Sequence, residues 1–337
     1  MKRIILIVLV FCAVLAIAIS IYLKPFFFSN IEKDTVIYIY PNVSNNEFCD
    51  SLKSHLGTGF GERTSKILNL LNVNLSNRIG AYKVTTRMSP YKAARLLQRG
   101  RQTGIKFSFN NIKTVNQFAE RVSRKLLMDK DSLLVLLKDK DFCKTYGKTP
   151  ETIISIFQPD TYEYYWTVSP KDFIDNQFTY YNRFWNEERK AKADAMGLNI
   201  DDIVTIGSIV EEEIAKRDEA GKVARLYINR LKKGMLLQAD PTVKFAIGDF
   251  SLRRIYGSML KIDSPYNTYV YKGLPPGPIR FVEKRTIDAV LNAPKHNFIY
   301  MCAKEDFSGR HNFTASYNEH KANARRYQQA LNRRGIR

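Results

Sequence analysis

The chain has 337 residues, with 53 Lys and Arg against 33 Asp and Glu and a formal net charge of +20. Apolar residues make up 45% and aromatics 12%, enough for a sizeable core, which excludes a disordered, collagenous or low-complexity protein. The length predicts two domains, or one domain with a satellite. The four cysteines (Cys12, Cys49, Cys143, Cys302) form no CxxC pair and the four histidines no HExxH. A zinc ribbon, a disulfide scaffold, a metal centre or a cofactor is therefore not expected.

In chain order, the first element is an uncharged apolar run over residues 4–23, flanked by Lys2-Arg3 and Lys24. At helical rise it spans roughly 30 Å, the hydrocarbon thickness of a bilayer. A cleaved signal peptide has a shorter apolar region, of about 7–15 residues, and here apolar residues continue past the small-residue site at Ala16-Ile17-Ala18. The reading is an uncleaved single-pass anchor. Its basic residues 1–3 form a cytoplasmic tail, and the body lies outside. An exported body meets head groups and cell wall, so the diffuse positive charge does not call for nucleic acid.

Residues 35–40 alternate like a strand stopped by Pro41. Phe48, Leu52 and Leu56 mark a helix over 45–56, and 65–72 reads as another short helix. A strand over 80–86 follows, then a helix with Ser89 as N-cap and Pro90 at N1. Residues 106–109 form a further strand, Thr114 caps a helix, and short helices continue to about Ser155. The aromatic segment 157–166 is read as a domain entrance, and 172–196 as one long amphipathic helix.

Asn199 caps a helix over 200–214, whose apolar stripe is Ile203, Ile206, Ile209, Val210 and Ile214. At 100° per residue Glu213 falls roughly 45° from the stripe's centre, Glu211 about 110–120° away and Glu212 nearly opposite. Burial against apolar side chains raises a carboxyl pKa, so Glu213 is a candidate general acid. An ordinary solvated Glu run is the competing reading. A second amphipathic helix covers 223–231, stopped by Gly234. The polar loops Leu237-Gln-Ala-Asp-Pro-Thr-Val243, Ser264-Pro-Tyr-Asn-Thr-Tyr269 and Gly273-Leu-Pro-Pro-Gly-Pro-Ile279 follow. Their amides, hydroxyls and rings suit an oligosaccharide site, although such motifs also shape turns.

Several motifs in order resemble the YceG-like (MltG) endolytic murein transglycosylases. They are Phe157-x-Pro159-Asp-Thr-Tyr162, Gly207-Ser-Ile-Val-Glu-Glu-Glu213, Tyr227-Ile-Asn-Arg-Leu231, Gln238-Ala-Asp-Pro-Thr-Val243 and Tyr266-Asn-Thr-Tyr269. Gly273 to Ile279, His311-x-Phe313 and His320 continue the series. The resemblance implies an α+β architecture: a transmembrane helix (4–23), a LysM-like α/β module (35–110), a helical connecting region (111–155) and a larger α+β catalytic domain (156–337). It implies Glu213 as the acid, with Glu211, Gln238, Asp240, Asn267, Thr268 and Tyr269 binding substrate. That family's helix usually reads Ala-Ser-Ile-Ile/Val-Glu-Lys-Glu, so Gly207 and Glu212 are departures. Glu212 is expected on a face pointing away from the chemistry.

The implied reaction is cleavage of the MurNAc–GlcNAc bond of peptidoglycan without water. Glu213 protonates the glycosidic oxygen and then accepts the C6 hydroxyl proton as a 1,6-anhydro ring closes. The implied setting is a bacterial plasma (inner) membrane, with peptidoglycan synthases as possible partners. A muramidase-type hydrolase using Asp240 or Glu211 as second carboxylate is one alternative. A non-catalytic wall-binding or scaffold protein is the other.

Overall fold

The computed structural model describes residues 2–252 and 255–335. They form two compact units. The first runs to Phe107 and adds Lys125–Leu127 and Tyr162–Val168; the second holds Ser108–Arg124, Met128–Thr161 and the chain from Ser169 onward. Residues 111–155, read above as a connection, thus fall mostly in the second unit.

The first unit begins with α1 (Lys2–Phe28), whose apolar side chains from Ile4 to Leu23 are exposed along its length. It is long and apolar enough to cross a membrane. The C-terminal end of α1 touches the rest of its unit: Phe26 packs on the core and the Phe27 ring lies 5.2 Å from that of Tyr91. Strand β1 (Thr35–Ile39) leads to α2 (Asn45–Leu56) and α3 (Thr58–Leu70), then β2 (Gly80–Val84) and α4 (Pro90–Arg99). β1 and β2 pair antiparallel, Thr35 opposite Val84 and Ile39 opposite Gly80. Ile37, Ile39, Phe48, Leu52, Tyr82, Val84 and Leu97 fill the core, so the period-2 and period-3.6 signals both point inward. Ser44 and Glu47 close a capping box on α2, and Ser89 caps α4 with Pro90 at its first turn.

The helix expected from Ser65 starts at Thr58 instead. Two glycines of low helix propensity, Gly59 and Gly61, hid its first turns. Gly61 has a packing reason: a Cβ there would lie 2.6 Å from the Leu52 and Lys53 backbone, so α2 and α3 meet backbone to backbone. β3 (Ile105–Ser108) and β4 (Thr161–Tyr164) make a second two-stranded sheet. The segment read as a domain entrance is therefore in part a strand. Trp166 beyond it sits edge-on to Tyr38 and Tyr40 at 4.9 and 4.8 Å.

The second unit is mainly helical. It contains α5 (Val115–Ser123), α6 (Lys130–Lys138), α7 (Lys140–Thr145), α8 (Pro170–Phe184) and α9 (Glu187–Met196). α10 (Ile200–Glu213), α11 (Ala220–Lys232), α12 (Asp240–Ile247) and α13 (Lys284–Leu291) follow. The antiparallel pair β5 (Tyr300–Ala303) and β6 (His311–Thr314) precedes α14 (Tyr317–Arg333). The single helix expected over 172–196 is in fact α8 and α9. Asn186 caps α9 by accepting from the Arg189 N–H, and Glu187 and Glu188 favour a fresh N-terminus there. The apolar stripe also ends at buried Trp185.

α10 runs through the middle of this unit, against α9, α11, α12 and α13. Every residue from Ile203 to Val210 is buried, polar ones included. Ser208 Oγ donates to the Thr205 carbonyl at 2.7 Å and accepts the Ile279 N–H at 3.0 Å, so its hydroxyl is satisfied.

The Gly61 contact gives a direct test of the first unit's packing. Gly61→Ala should push α3 off α2 and destabilise the unit by about 1–3 kcal/mol. Hydrogen exchange should then show lost protection in α2 and α3, and unchanged protection there would refute the close-approach argument.

Candidate active site

Three carboxylates end α10, and the structure treats each differently. Glu212, nearly opposite the apolar stripe, does not line the cleft described below, and it is ion-paired. Its Oε1 accepts Arg280 Nη1 at 2.6 Å and its Oε2 accepts Lys113 Nζ at 2.8 Å. Glu211 pairs with Arg280 Nη2 at 3.2 Å and accepts the Glu283 N–H at 3.0 Å. Burial pushes the Glu211 carboxyl up, and Arg280 opposes that shift. Off the apolar stripe, this flank of the helix is covered by residues 111–113 and 279–283, which a wheel of one helix does not reveal. Both side chains are structural clamps on the end of the helix, and Glu211 does not reach the cleft described next.

Among the described residues Glu213 has no such ion pair. One oxygen, Oε1, accepts a hydrogen bond from Tyr227 Oη at 3.0 Å. The side chain opens on a cleft of about 240 Å³ lined also by Tyr227, Arg230, Gln238, Asp240, Tyr269 and His311. Burial, more than any neighbour, pushes its carboxyl up to about 7. The Asp240 charge adds to the shift, while the Tyr227 hydrogen bond and the charges of Lys244 and Arg230 work against it. At neutral pH an appreciable fraction of Glu213 therefore carries a proton.

The cleft walls come from loops that buried polar groups hold in place. Tyr227 and Arg230 lie one turn apart on α11. The Arg230 guanidinium donates to the Ile299 carbonyl at 2.6 Å and to that of Leu237 at 2.7 Å, tying the approach to β5 to the loop before α12. Gln238 sits in that loop in the left-handed region (φ 51°), its N–H bonded to the Thr268 carbonyl. Asp240 starts α12 and accepts Tyr269 Oη at 2.6 Å.

Gln238, Asp240 and Tyr269 thus line the cleft with Glu213, whereas Asn267 and Thr268 lie beneath it. Asn267 is fully buried, and its Nδ2 donates to the Leu260 and Ile262 carbonyls at 3.0 and 2.8 Å. Thr268 Oγ1 accepts the Ala239 N–H at 3.0 Å and contacts Thr242 Oγ1 at 2.8 Å. With their polar atoms spent on the protein, these two support the rim rather than touch a ligand. Sequence reasoning did not single out Tyr227, Arg230 or His311 as site residues. For the first two a signal was present: a Tyr and an Arg at i and i+3 on the buried side of a helix need polar company there.

Residues 37–326 match the YceG-like family. The chain is 36% identical over 157 residues to an endolytic murein transglycosylase of Bacillus subtilis, covering 47% of this chain and 41% of that protein. It is 34% identical over 110 residues to an endolytic murein transglycosylase of Streptococcus pneumoniae, covering 32% of this chain and 20% of that protein. The chain thus matches less than half the length of these curated relatives. A crystal structure of a YceG-like protein from Listeria monocytogenes has the same fold, with a TM-score of 0.58 at 24% identity over 86% of this chain and 99% of that one.

Two stability measurements check the site geometry. Asn267→Ala strands two buried carbonyls and the Tyr269 N–H, and should cost about 2–3 kcal/mol in urea unfolding. Tyr269→Phe, which removes only the hydroxyl facing Asp240, should cost much less. The second concerns Glu213. Its folded pKa of about 7 exceeds its ordinary 4.5, so between those values the unfolded chain has lost a proton that the folded chain keeps. Stability from this group is full below pH 4.5 and declines as pH rises to about 7, by at most about 3 kcal/mol. Glu213→Gln should gain on the wild type through that window, and a constant difference across it would refute the raised pKa.

Proposed function

The chain belongs to the YceG-like family, and from that premise we propose that it is an endolytic lytic transglycosylase of peptidoglycan. Its substrate is the MurNAc–GlcNAc bond of glycan strands, and its product carries a 1,6-anhydroMurNAc end that terminates or trims a nascent strand. The observation that carries this reading is Glu213: a carboxyl raised to about 7 at the edge of a cleft lined by phenols, an amide and a guanidinium. A protonated carboxylic acid at neutral pH is what a glycosidic leaving group needs. The hydroxyls of Tyr227 and Tyr269, the Gln238 amide and the Arg230 guanidinium supply the directional polar groups that a sugar's hydroxyls require.

In this reading Glu213 gives its proton to the glycosidic oxygen while the C6 hydroxyl of MurNAc closes on C1. The hydroxyl's proton must be collected inside the same cleft. Residues 4–23 anchor the protein once in a bacterial plasma membrane, with residues 1–3 inside and the body outside. Residues 35–110 act as a LysM-like glycan-binding module, and the second unit, which takes in most of 111–155, carries the catalysis. Peptidoglycan synthases are the natural partners, because they produce the strands it cuts.

A muramidase-type hydrolase is the second reading, and Asp240 favours it as another carboxylate lining the cleft. Glu211 does not serve that role, being held by Arg280 and the Glu283 N–H.

Digestion of purified glycan strands, resolved by mass spectrometry, decides between them. Anhydro ends support transglycosylation, reducing ends support hydrolysis, and intact strands support a binder. Glu213→Gln keeps the side chain's shape but carries no transferable proton, so turnover should drop at least about 10²–10⁴-fold. A variant still producing anhydro ends near the wild-type rate would move the acid elsewhere.

A further inference from the structure

β6 opens with His311, whose ring lines the same cleft as Glu213. Its Nδ1 lies 2.9 Å from Glu219 Oε2, and its backbone N–H donates to Glu219 Oε1 at 3.1 Å. Glu219, in the turn before α11, is itself only 6% exposed. Both oxygens of a buried carboxylate are thus given to one histidine. An ionised carboxylate only accepts, so this contact keeps the ring proton on Nδ1. The Nε2 of the neutral ring is then an acceptor, and among the described residues no protein group bonds to it. A carboxylate behind an imidazole fixes its tautomer and orientation and stabilises the imidazolium formed when it takes a proton.

Oε1 of Glu213 already receives the Tyr227 hydroxyl, and in the proposed reaction Glu213 releases its proton to the leaving oxygen as the sugar hydroxyl loses one, so a second acceptor in the cleft lets both transfers run together. We infer that His311 is a second catalytic residue: its Nε2 accepts the hydrogen bond of the attacking sugar hydroxyl and takes that proton as the ring closes. Glu219 is its positioning residue. The inference rests on the transglycosylase reading above. Glu213 gives its proton to the glycosidic oxygen, and the C1–O bond breaks with its electron pair leaving on that oxygen. A lone pair of O6 forms the C1–O6 bond, and the O6 proton passes to Nε2. The imidazolium then returns a proton to the Glu213 carboxylate through water once product leaves, so no co-reactant is consumed.

The test uses the full chain in detergent and purified glycan strands, following anhydro-ended products. His311→Ala should lose at least about 10²-fold in kcat with KM changed far less, and added imidazole should restore part of the loss. His311→Gln, whose amide can still donate to Glu219, should be as slow and not respond to imidazole. Glu213→Gln should not respond either, which separates the two roles. Thermal unfolding of each variant reports folding, and His311→Gln carries the test if the alanine variant unfolds. Folded His311 variants with kcat within about threefold of wild type, or a loss wholly in KM, would overturn the role of His311 and leave Glu213 as acid standing. Wild-type protein giving reducing ends or no cleavage would instead overturn the transglycosylase reading itself.

Discussion

The second unit is organised around one electrostatic difficulty, a buried helix that ends in three consecutive carboxylates. The C-terminal end of a helix already carries partial negative charge, so Glu211, Glu212 and Glu213 all sit where an anion is least welcome. Two are compensated. Arg280 bridges Glu211 and Glu212, Lys113 adds a second cation, and the Glu283 N–H supplies a neutral donor. The third receives a phenol hydroxyl and, among the described residues, no ion pair. Its raised pKa is chiefly the cost of burying an anion there, which the Tyr227 hydrogen bond and the charges of Lys244 and Arg230 offset only in part.

The same economy of polar groups shapes the cleft wall. Loops without regular secondary structure still have to satisfy their backbone, and here buried side chains do so. Arg230 joins two loops through their carbonyls, Thr268 and Thr242 stitch the start of α12 to the Tyr269 turn, and Asn267 braces that turn against residues 260–262. Because those groups are consumed internally, the side chains left facing the opening, Gln238, Asp240 and Tyr269, stand on a fixed frame. Fixed polar groups favour a ligand of defined hydroxyl geometry over a shapeless one, since little is left to reorganise on binding.

What the sequence made legible follows the range of each signal. Caps and periodicity are local, so Ser89, Thr114 and Asn199 marked helix starts that the structure contains. Glu213 was legible twice, through the wheel and through its motif. Glu212 was not, because a wheel knows the residues of its own helix and nothing of Arg280 or Lys113, 68 and 99 positions away. Asn267 and Tyr269 share one motif, yet one is buried and the other faces the cleft, a division that only the packed loop decides. The break between α8 and α9 was readable at Asn186, where an N-cap residue precedes two glutamates; aromatic periodicity masked it.

The departures at Gly207 and Glu212 can be placed in the same physical terms. Gly207 faces Val282, and a Cβ there would sit 3.1 Å from Val282 Cγ1, so an alanine would need only a small side-chain shift. Glycine trades some helix propensity for that room. At 212 the resembled family usually has Lys, and an acid in its place would be poorly tolerated beside Glu211 and Glu213 without added positive charge. Here that charge is present on both sides, Lys113 from before α5 and Arg280 from before α13. Glu212 thereby bridges two segments distant in the chain. Both partners are largely buried, so the bridge is screened little by solvent and fixes the direction in which α10 delivers its last residue to the cleft.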